Sequence, residues 1–298
     1  MRGETAMRRM TRVGPYWELC KPKISALSAL SAAVGFVLSR GGIGTETAAV
    51  AMGVFFLACG ASAMNHYQER GTDALMRRTR NRPLPSGRIS PKRAVSFSLS
   101  LVIPGLLILR MSGGSAAPML LGLLALLWYN GAYTLLKRKT AFAALPGAIV
   151  GALPPAIGWV AAGGTPGDPR LAFLCFFFFM WQTPHFWLLL LERGPEYEAA
   201  GLPSLTGIVG MSQLVRIIFV WTVAAAASVL LVAMEGITKS PVVNAALCTS
   251  AVWLIWSAAG LLRNGRQEYA PAFRRINVFA LIVMALMSID GLVRNVTL

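Results

Sequence analysis

Three side chains with oxygen donors, Asn65, Glu69 and Asp73, stand four residues apart in the stretch NHYQERGTDALMRRTRNRPLPSGRIS, residues 65–90. If the apolar segment before them continues as a helix, this spacing places all three on one helix face. Mg²⁺ prefers hard oxygen ligands and usually takes one or two carboxylates, with water and substrate phosphate in its other positions. The spacing therefore predicts a Mg²⁺ site at the end of that segment.

Arginine side chains accompany the two carboxylates. Guanidinium groups bind phosphate oxygens in a bidentate fashion, so this stretch predicts both halves of a clamp for a metal ion and a diphosphate. The alternative is that Glu69 and Asp73 form only surface ion pairs on a basic loop. The arginines of the stretch are Arg70, Arg77, Arg78, Arg80, Arg82 and Arg88.

A second stretch, WQTPHFWLLLLERGPEYEAAGLPSL at residues 181–205, brings polar residues to an apolar segment. Pro184 removes one hydrogen bond from a helix, and a histidine at membrane depth, His185, is a candidate functional residue. The alternative for His185 is a packing role. Arg193, Glu196 and Tyr197 follow as a further polar cluster.

Aromatic residues gather near these stretches, and their ring faces can stabilise a cation. His66, beside Asn65, is interpreted as a bystander. Asp290 is an acid in the last apolar segment, and the sequence assigns it no partner. The aromatic residues are Phe176 to Phe179, Trp181, Phe186, Trp187 and Tyr197, together with Trp128 and Tyr129.

The composition is that of an integral membrane protein. Of the 298 residues, 55% are hydrophobic and only 13% are charged, and the mean hydropathy is +0.59. The net charge of +16 fits loops beside anionic lipid, and without a basic soluble module it does not indicate nucleic-acid binding. The four cysteines are too far apart in sequence to predict a metal site or a disulfide framework.

Nine apolar segments are long enough to be spanning helices. Such helices satisfy their own backbone hydrogen bonds, and the ten-residue alternation of a membrane barrel is missing, so an all-α integral membrane protein is predicted. We expect a basic cytoplasmic tail at residues 1–23, without a cleavage signal, and a nine-helix domain at 24–298. The segments are 24–39, 47–66, 94–110, 117–136, 142–162, 171–191, 213–234, 241–262 and 277–293.

The distribution of Lys and Arg predicts the orientation of these segments. With the N-terminus in the cytoplasm, only five of the 28 basic residues fall on the outer face. Both acid-bearing connections, after the second and sixth segments, then lie on the cytoplasmic face, where chemistry is expected. The five outer residues are Arg40, Arg110, Arg170, Lys239 and Arg294.

Several motifs give the chain a family resemblance. It resembles the intramembrane UbiA-type prenyltransferases, and RTRNRPL at 78–84 with WQTPHFW at 181–187 is typical of the branch that farnesylates heme. The other matching motifs are CKPKI at 20–24, the stretch at 65–90, YTLLKRKT at 133–140, GALPPAIGW at 151–159 and EYEAAGLP at 196–203.

The resemblance implies nine helices around a central cavity that opens at the cytoplasmic face of the bacterial inner membrane. It implies transfer of farnesyl from farnesyl diphosphate to a vinyl group of protoheme IX, with addition of water, giving heme O. Heme is then a substrate, Mg²⁺ the cofactor, and a terminal oxidase or heme A synthase a partner.

The resemblance also implies roles for single residues. Asn65, Glu69 and Asp73 would hold Mg²⁺ and the diphosphate, and His185 would contact heme. The phosphate contacts would be Lys21, Arg78 and Arg82, and the second catalytic cluster would be Arg193, Glu196 and Tyr197.

The chain departs from the family pattern at four positions. Glu69 and Glu196 stand where aspartate is usual, Gly71 replaces a further aspartate, and Ala143 replaces an asparagine. Three alternatives therefore stay open: a prenyltransferase with an aromatic quinone precursor as acceptor, a non-catalytic heme-binding or heme-delivery protein, and a transporter.

Overall fold

The computed structural model describes residues 13–293, and this part of the chain forms helices and no β-strand. The predicted all-α class is confirmed. Residues 13–20 are helical, whereas residues 1–12 of the predicted tail lie outside the described range, so the division at residue 23 stays a prediction. The long helices are α1 Pro22–Arg40, α2 Thr45–Leu75, α3 Pro91–Met111, α4 Ala117–Leu136, α5 Ala144–Ala161, α6 Pro169–Ala199, α7 Met211–Met234, α8 Pro241–Ala258 and α9 Tyr269–Val293.

Eight helical stretches of the described range are long and apolar enough to cross a membrane. The last of them, Pro241–Val293, contains both α8 and α9, which are joined by a short helix at Gly260–Asn264 and a 3₁₀ turn at Gly265–Glu268. An integral membrane protein is therefore confirmed.

Two helices continue well past the apolar segments that predicted them. The second segment was expected to end near residue 66, and α2 runs to Leu75; the sixth was expected to end near 191, and α6 runs to Ala199. The extra turns are polar, and those of α2 are stabilised by ion pairs rather than by lipid. Because α2 continues, Asn65, Glu69 and Asp73 lie on one face of the same helix.

Close helix contacts depend on small residues. Gly158 of α5 lies against the carbonyl of Ala32 in α1, and Gly35 of α1 lies against the carbonyl of Pro155 in α5, so neither position has room for a Cβ. Membrane helices pack through such contacts because small residues let backbones approach. The α1–α5 pair is thereby fixed beside the central cavity.

Helices α4 and α6 each contain a feature that interrupts regular α-helical hydrogen bonding. In α4, Leu127–Tyr133 form a π-helical segment, a geometry often found at functional sites. Helix α6 runs through Pro184 and Pro195 without ending, so these prolines remove hydrogen bonds but do not break the helix.

Asp290 has a clear structural role that its sequence position did not reveal. Its carboxylate accepts hydrogen bonds from the backbone N–H of Lys239 at 3.0 Å and of Ser240 at 2.7 Å, where α8 begins. The side chain is only 2% exposed. Asp290 therefore joins the end of α9 to the α7–α8 connection.

Replacing Asp290 with alanine is expected to lower the free energy of unfolding by about 3 kcal/mol, because two backbone N–H groups lose a buried, charged acceptor. Asp290→Asn keeps one oxygen as an acceptor, so its free energy of unfolding should fall by a smaller amount. Unfolding in mixed micelles measures both. Equal stability of the alanine variant and the wild type would contradict this role.

Candidate active site

A polar chamber of about 390 Å³ lies where the ends of α2, α4 and α6 meet the start of α1. It brings together eight of the ten site residues predicted from the sequence. The two others are Glu196, which contacts a chamber residue, and His185, which lines a neighbouring cavity. The eight are Lys21, Asn65, Glu69, Asp73, Arg78, Arg82, Arg193 and Tyr197.

The predicted oxygen-bearing face of α2 forms one wall of the chamber. Asn65, Glu69 and Asp73 are all buried, and Asp73 is only 1% exposed. Both carboxylates are ion-paired, as the surface-pair alternative expected, but they lie inside the protein rather than on its surface. In residues 13–293, no group of three or more His, Cys, Asp or Glu side chains is placed to hold a metal ion. A cation here would therefore need the amide oxygen of Asn65 and oxygens from its ligand.

Asp73 is held by the loop that follows its own helix. Arg82 donates from one guanidinium nitrogen to both carboxylate oxygens at 2.9 Å, and Thr79 donates to the Asp73 carbonyl at 2.9 Å. The loop from residue 76 therefore folds back over the end of α2. This return explains why Arg78 and Arg82 line the chamber.

Lys21 enters the chamber from the start of α1. Its backbone has φ 44°, the only positive φ of a non-glycine residue in the described range. This conformation costs roughly 1–2 kcal/mol in an L-residue, and such strain is common at functional sites. Its Nζ donates to Asn65 Oδ1 at 3.3 Å. Burial, aided by the charge of Arg82, lowers the pKa of Lys21 to about 8.

Lys137 is a chamber residue that sequence reasoning assigned only to membrane topology. Its Nζ donates to Glu69 Oε1 at 3.0 Å and lies 5.2 Å from the centre of the Tyr197 ring. Burial alone would lower its pKa, but the neighbouring Glu69 and tyrosines outweigh burial and raise the pKa of Lys137 above its usual value. The ammonium group is therefore a permanent cation in the chamber.

The second polar cluster joins the loop after α2 to the end of α6. Arg78 Nε lies 3.9 Å from Glu196 Oε2, a loose pair that is more than a third exposed. Burial, with repulsion from Arg193 and Arg82, lowers the pKa of Arg78. Five cations and three carboxylates line the chamber, so its excess positive charge favours a polyanionic ligand.

An apolar cavity of about 420 Å³ adjoins the chamber among α1, α2, α4, α5, α6 and α9. The two spaces share Lys21, Ile24, Tyr129 and Tyr133 in their walls. A ligand with an anionic head and an apolar chain can therefore occupy both spaces at once.

Known proteins resemble this chain over most of its length. The model of the UbiA prenyltransferase family matches residues 28–283. The chain belongs to that family. A protoheme IX farnesyltransferase of Geobacter sulfurreducens is 43% identical over 222 residues, which cover 74% of this chain and 80% of the relative. One of Oleidesulfovibrio alaskensis is 36% identical over 275 residues, covering 92% and 95%.

Solved structures share the fold. A digeranylgeranylglyceryl phosphate synthase superposes with a TM-score of 0.76 at 18% identity, covering 94% of this chain and 99% of that one. A UbiA homologue from Archaeoglobus fulgidus bound to GPP and Mg²⁺ superposes with a TM-score of 0.66 at 14% identity, covering 92% and 99%. The UbiA fold is thus confirmed over nearly the whole described chain.

His185 lies deep in the apolar cavity of this family member. Its ring is 5.1 Å from Trp181 and 4.9 Å from Phe273, measured between ring centres. Its Nδ1 is buried and has no hydrogen-bond partner in the described chain. The sequence left two interpretations of His185, a functional residue and a packing residue. An unsatisfied nitrogen in a cavity favours contact with a ligand over simple packing.

A row of stacked aromatic rings leads from the chamber towards His185. Tyr129 and Tyr133 are 5.9 Å apart, and Tyr133 and Phe186 are 6.1 Å apart, with nearly parallel planes. Tyr133 was missed by the sequence argument, although it begins the motif YTLLKRKT. Not all predicted aromatics belong here, since Trp187 packs on Trp221 in the core.

Proposed function

We propose that this member of the UbiA prenyltransferase family transfers the farnesyl group of farnesyl diphosphate to a vinyl group of protoheme IX, with addition of water, and releases diphosphate. The observation that carries the proposal is that the cationic chamber and the apolar cavity lined by His185 adjoin each other and share wall residues. The identity to protoheme IX farnesyltransferases over nine tenths of the chain supports heme as the acceptor.

The diphosphate lies in the polar chamber. Lys21, Arg78 and Arg82 contact its oxygens, together with Lys137 and Arg193, which line the same space. Lys21, Arg82 and Lys137 are already held by hydrogen bonds in the chamber, so they stabilise the negative charge that develops on the leaving group with little reorganisation.

Asn65, Glu69 and Asp73 would hold Mg²⁺. Two buried carboxylates and an amide oxygen on one helix face form a donor set suited to this ion, which prefers few protein ligands and completes its shell with phosphate and water. The ion supplies Lewis-acid stabilisation of the diphosphate when it is bound. Glu69 instead of aspartate keeps the carboxylate and adds one methylene of reach, so the departure at this position is compatible with the role.

The farnesyl chain extends into the apolar cavity past Tyr129, Tyr133 and Phe186. When the bond from carbon to diphosphate breaks, the leaving group takes the electron pair and the farnesyl carbon becomes cationic. The row of ring faces stabilises this cation. The π electrons of the heme vinyl group then form the new C–C bond, and water adds to the remaining vinyl carbon and releases a proton.

Heme contacts His185, with Trp181 and Phe273 against its macrocycle. Arg193, Glu196 and Tyr197 close the end of α6 over the diphosphate. We further propose nine membrane crossings, two of them by α8 and α9, with the chamber and the N-terminus on the cytoplasmic side of the inner membrane. A terminal oxidase or heme A synthase receives the product.

The acceptor is tested with the purified protein in nanodiscs, farnesyl diphosphate and either protoheme IX or an aromatic quinone precursor. We expect a farnesylated, hydrated heme only with protoheme, and no product when the divalent cation is chelated. Formation of a prenylated aromatic ring would show that the acceptor is a quinone precursor and not heme. Heme binding without any product would support a heme-delivery protein.

A further inference from the structure

His66 is a buried histidine whose ring has no partner within the protein. It is 2% exposed, follows Asn65 in α2 and lines the polar chamber. Neither Nδ1 nor Nε2 has a hydrogen-bond partner within residues 13–293. An imidazole always carries at least one N–H donor, and buried polar groups are nearly always paired. The pairing that His66 lacks must therefore come from what occupies the chamber.

The other polar groups near His66 are already engaged with one another. Lys21 donates to Asn65, and Arg82 donates to Asp73. Glu69, one helical turn after His66, accepts from Lys137. These residues have hydrogen-bond or ion-pair partners within the protein, whereas the ring nitrogens of His66 have none in the described chain.

We propose that His66 donates a hydrogen bond from its ring to a phosphate oxygen of the bound prenyl diphosphate, while water bound with the ligand satisfies the second nitrogen. The inference rests on the proposed function, since it assumes that the chamber binds the diphosphate. Phosphate oxygens accept hydrogen bonds strongly because they are charged. His66 is in this account a binding residue of the diphosphate.

The test uses inorganic diphosphate with Mg²⁺ as the probe and the full-length protein in nanodiscs. Affinity is measured by calorimetry and ligand-free stability by thermal unfolding for the wild type, His66→Phe and His66→Asn. We expect His66→Phe to bind diphosphate about tenfold more weakly and yet melt at a higher temperature without ligand, since the unpaired polar atoms are gone. His66→Asn keeps a donor and should stay within about threefold of the wild type.

Trp187→Phe is the matched control, because it removes another buried, unpartnered N–H of the described chain that lies outside both cavities. It should leave diphosphate affinity unchanged. Wild-type affinity in His66→Phe would overturn the inference alone. A lower ligand-free melting temperature of His66→Phe would also overturn it, because the ring would then have a partner in the protein. Absence of diphosphate binding by the wild type would overturn the proposed function and this inference together.

Discussion

Replacing Asp73 with asparagine is expected to lower farnesyl transfer on the order of 10²-fold or more, while the protein keeps its fold. The substitution preserves size and one oxygen, so Arg82 retains a hydrogen-bond acceptor and the loop after α2 stays in place. What is lost is the negative charge that pairs with Arg82 in the chamber and that, in the proposed function, would hold the metal ion. Losses of about 10²–10³-fold are typical when one preorganised electrostatic contact to a transition state is removed.

The measurement is the rate of product formation at saturating substrates, together with thermal unfolding of each variant. Asp168→Asn is the matched control, since Asp168 also pairs with an arginine, Arg170 at 2.6 Å, but outside both cavities. The control should keep wild-type activity. A stable and fully active Asp73→Asn variant would contradict a role of Asp73 in the reaction.

The second large effect is expected at Lys137. Replacing it with methionine leaves the buried Glu69 carboxylate with only the weaker interactions that Lys21 and Asn65 provide, so we expect a loss of about 2 kcal/mol in stability. Activity should fall on the order of 10²-fold, since a cation of the diphosphate site is also lost. Adding Glu69→Gln to Lys137→Met removes the unpaired charge and should restore most of the stability but none of the activity.

Lys139→Met is the control for this cycle, because Lys139 belongs to the same KRK run and is exposed. Thermal unfolding and product formation are measured for the single and double variants. Recovery of activity in the double variant would contradict both the proposed role of Lys137 at the diphosphate and the proposed role of Glu69 at the metal ion.

The sequence was informative wherever a local spacing decides the geometry. Asn65, Glu69 and Asp73 could be placed on one face because residues four positions apart are neighbours on an α-helix, and the structure has that helix. The hydropathy pattern located the helices, but not the polar last turns of α2 and α6, because hydropathy does not detect polar interactions such as the ion pairs of Glu69 and Asp73. His185 could be located at membrane depth from its apolar neighbours alone.

Contacts between distant segments could not be read from the sequence in the same way. Lys137 and Glu69 are 68 positions apart, and nothing in a run of basic residues distinguishes a half-buried, ion-paired lysine from a topology signal. Asp290 binds backbone N–H groups, which every residue but proline has, so no side-chain pattern could identify its partners. His66 was interpreted as a bystander because the sequence does not show that its ring is buried and that both ring nitrogens are without a hydrogen-bond partner in the described chain.

The central claim is that the cationic chamber and the apolar cavity together farnesylate heme. Its most direct test is mass spectrometry of heme extracted from heme-O-deficient membranes supplied with this protein, Mg²⁺ and farnesyl diphosphate, beside Asp73→Asn. We predict heme O with the wild type and a trace at most with the variant. Absence of heme O from well-folded wild-type protein would contradict the account.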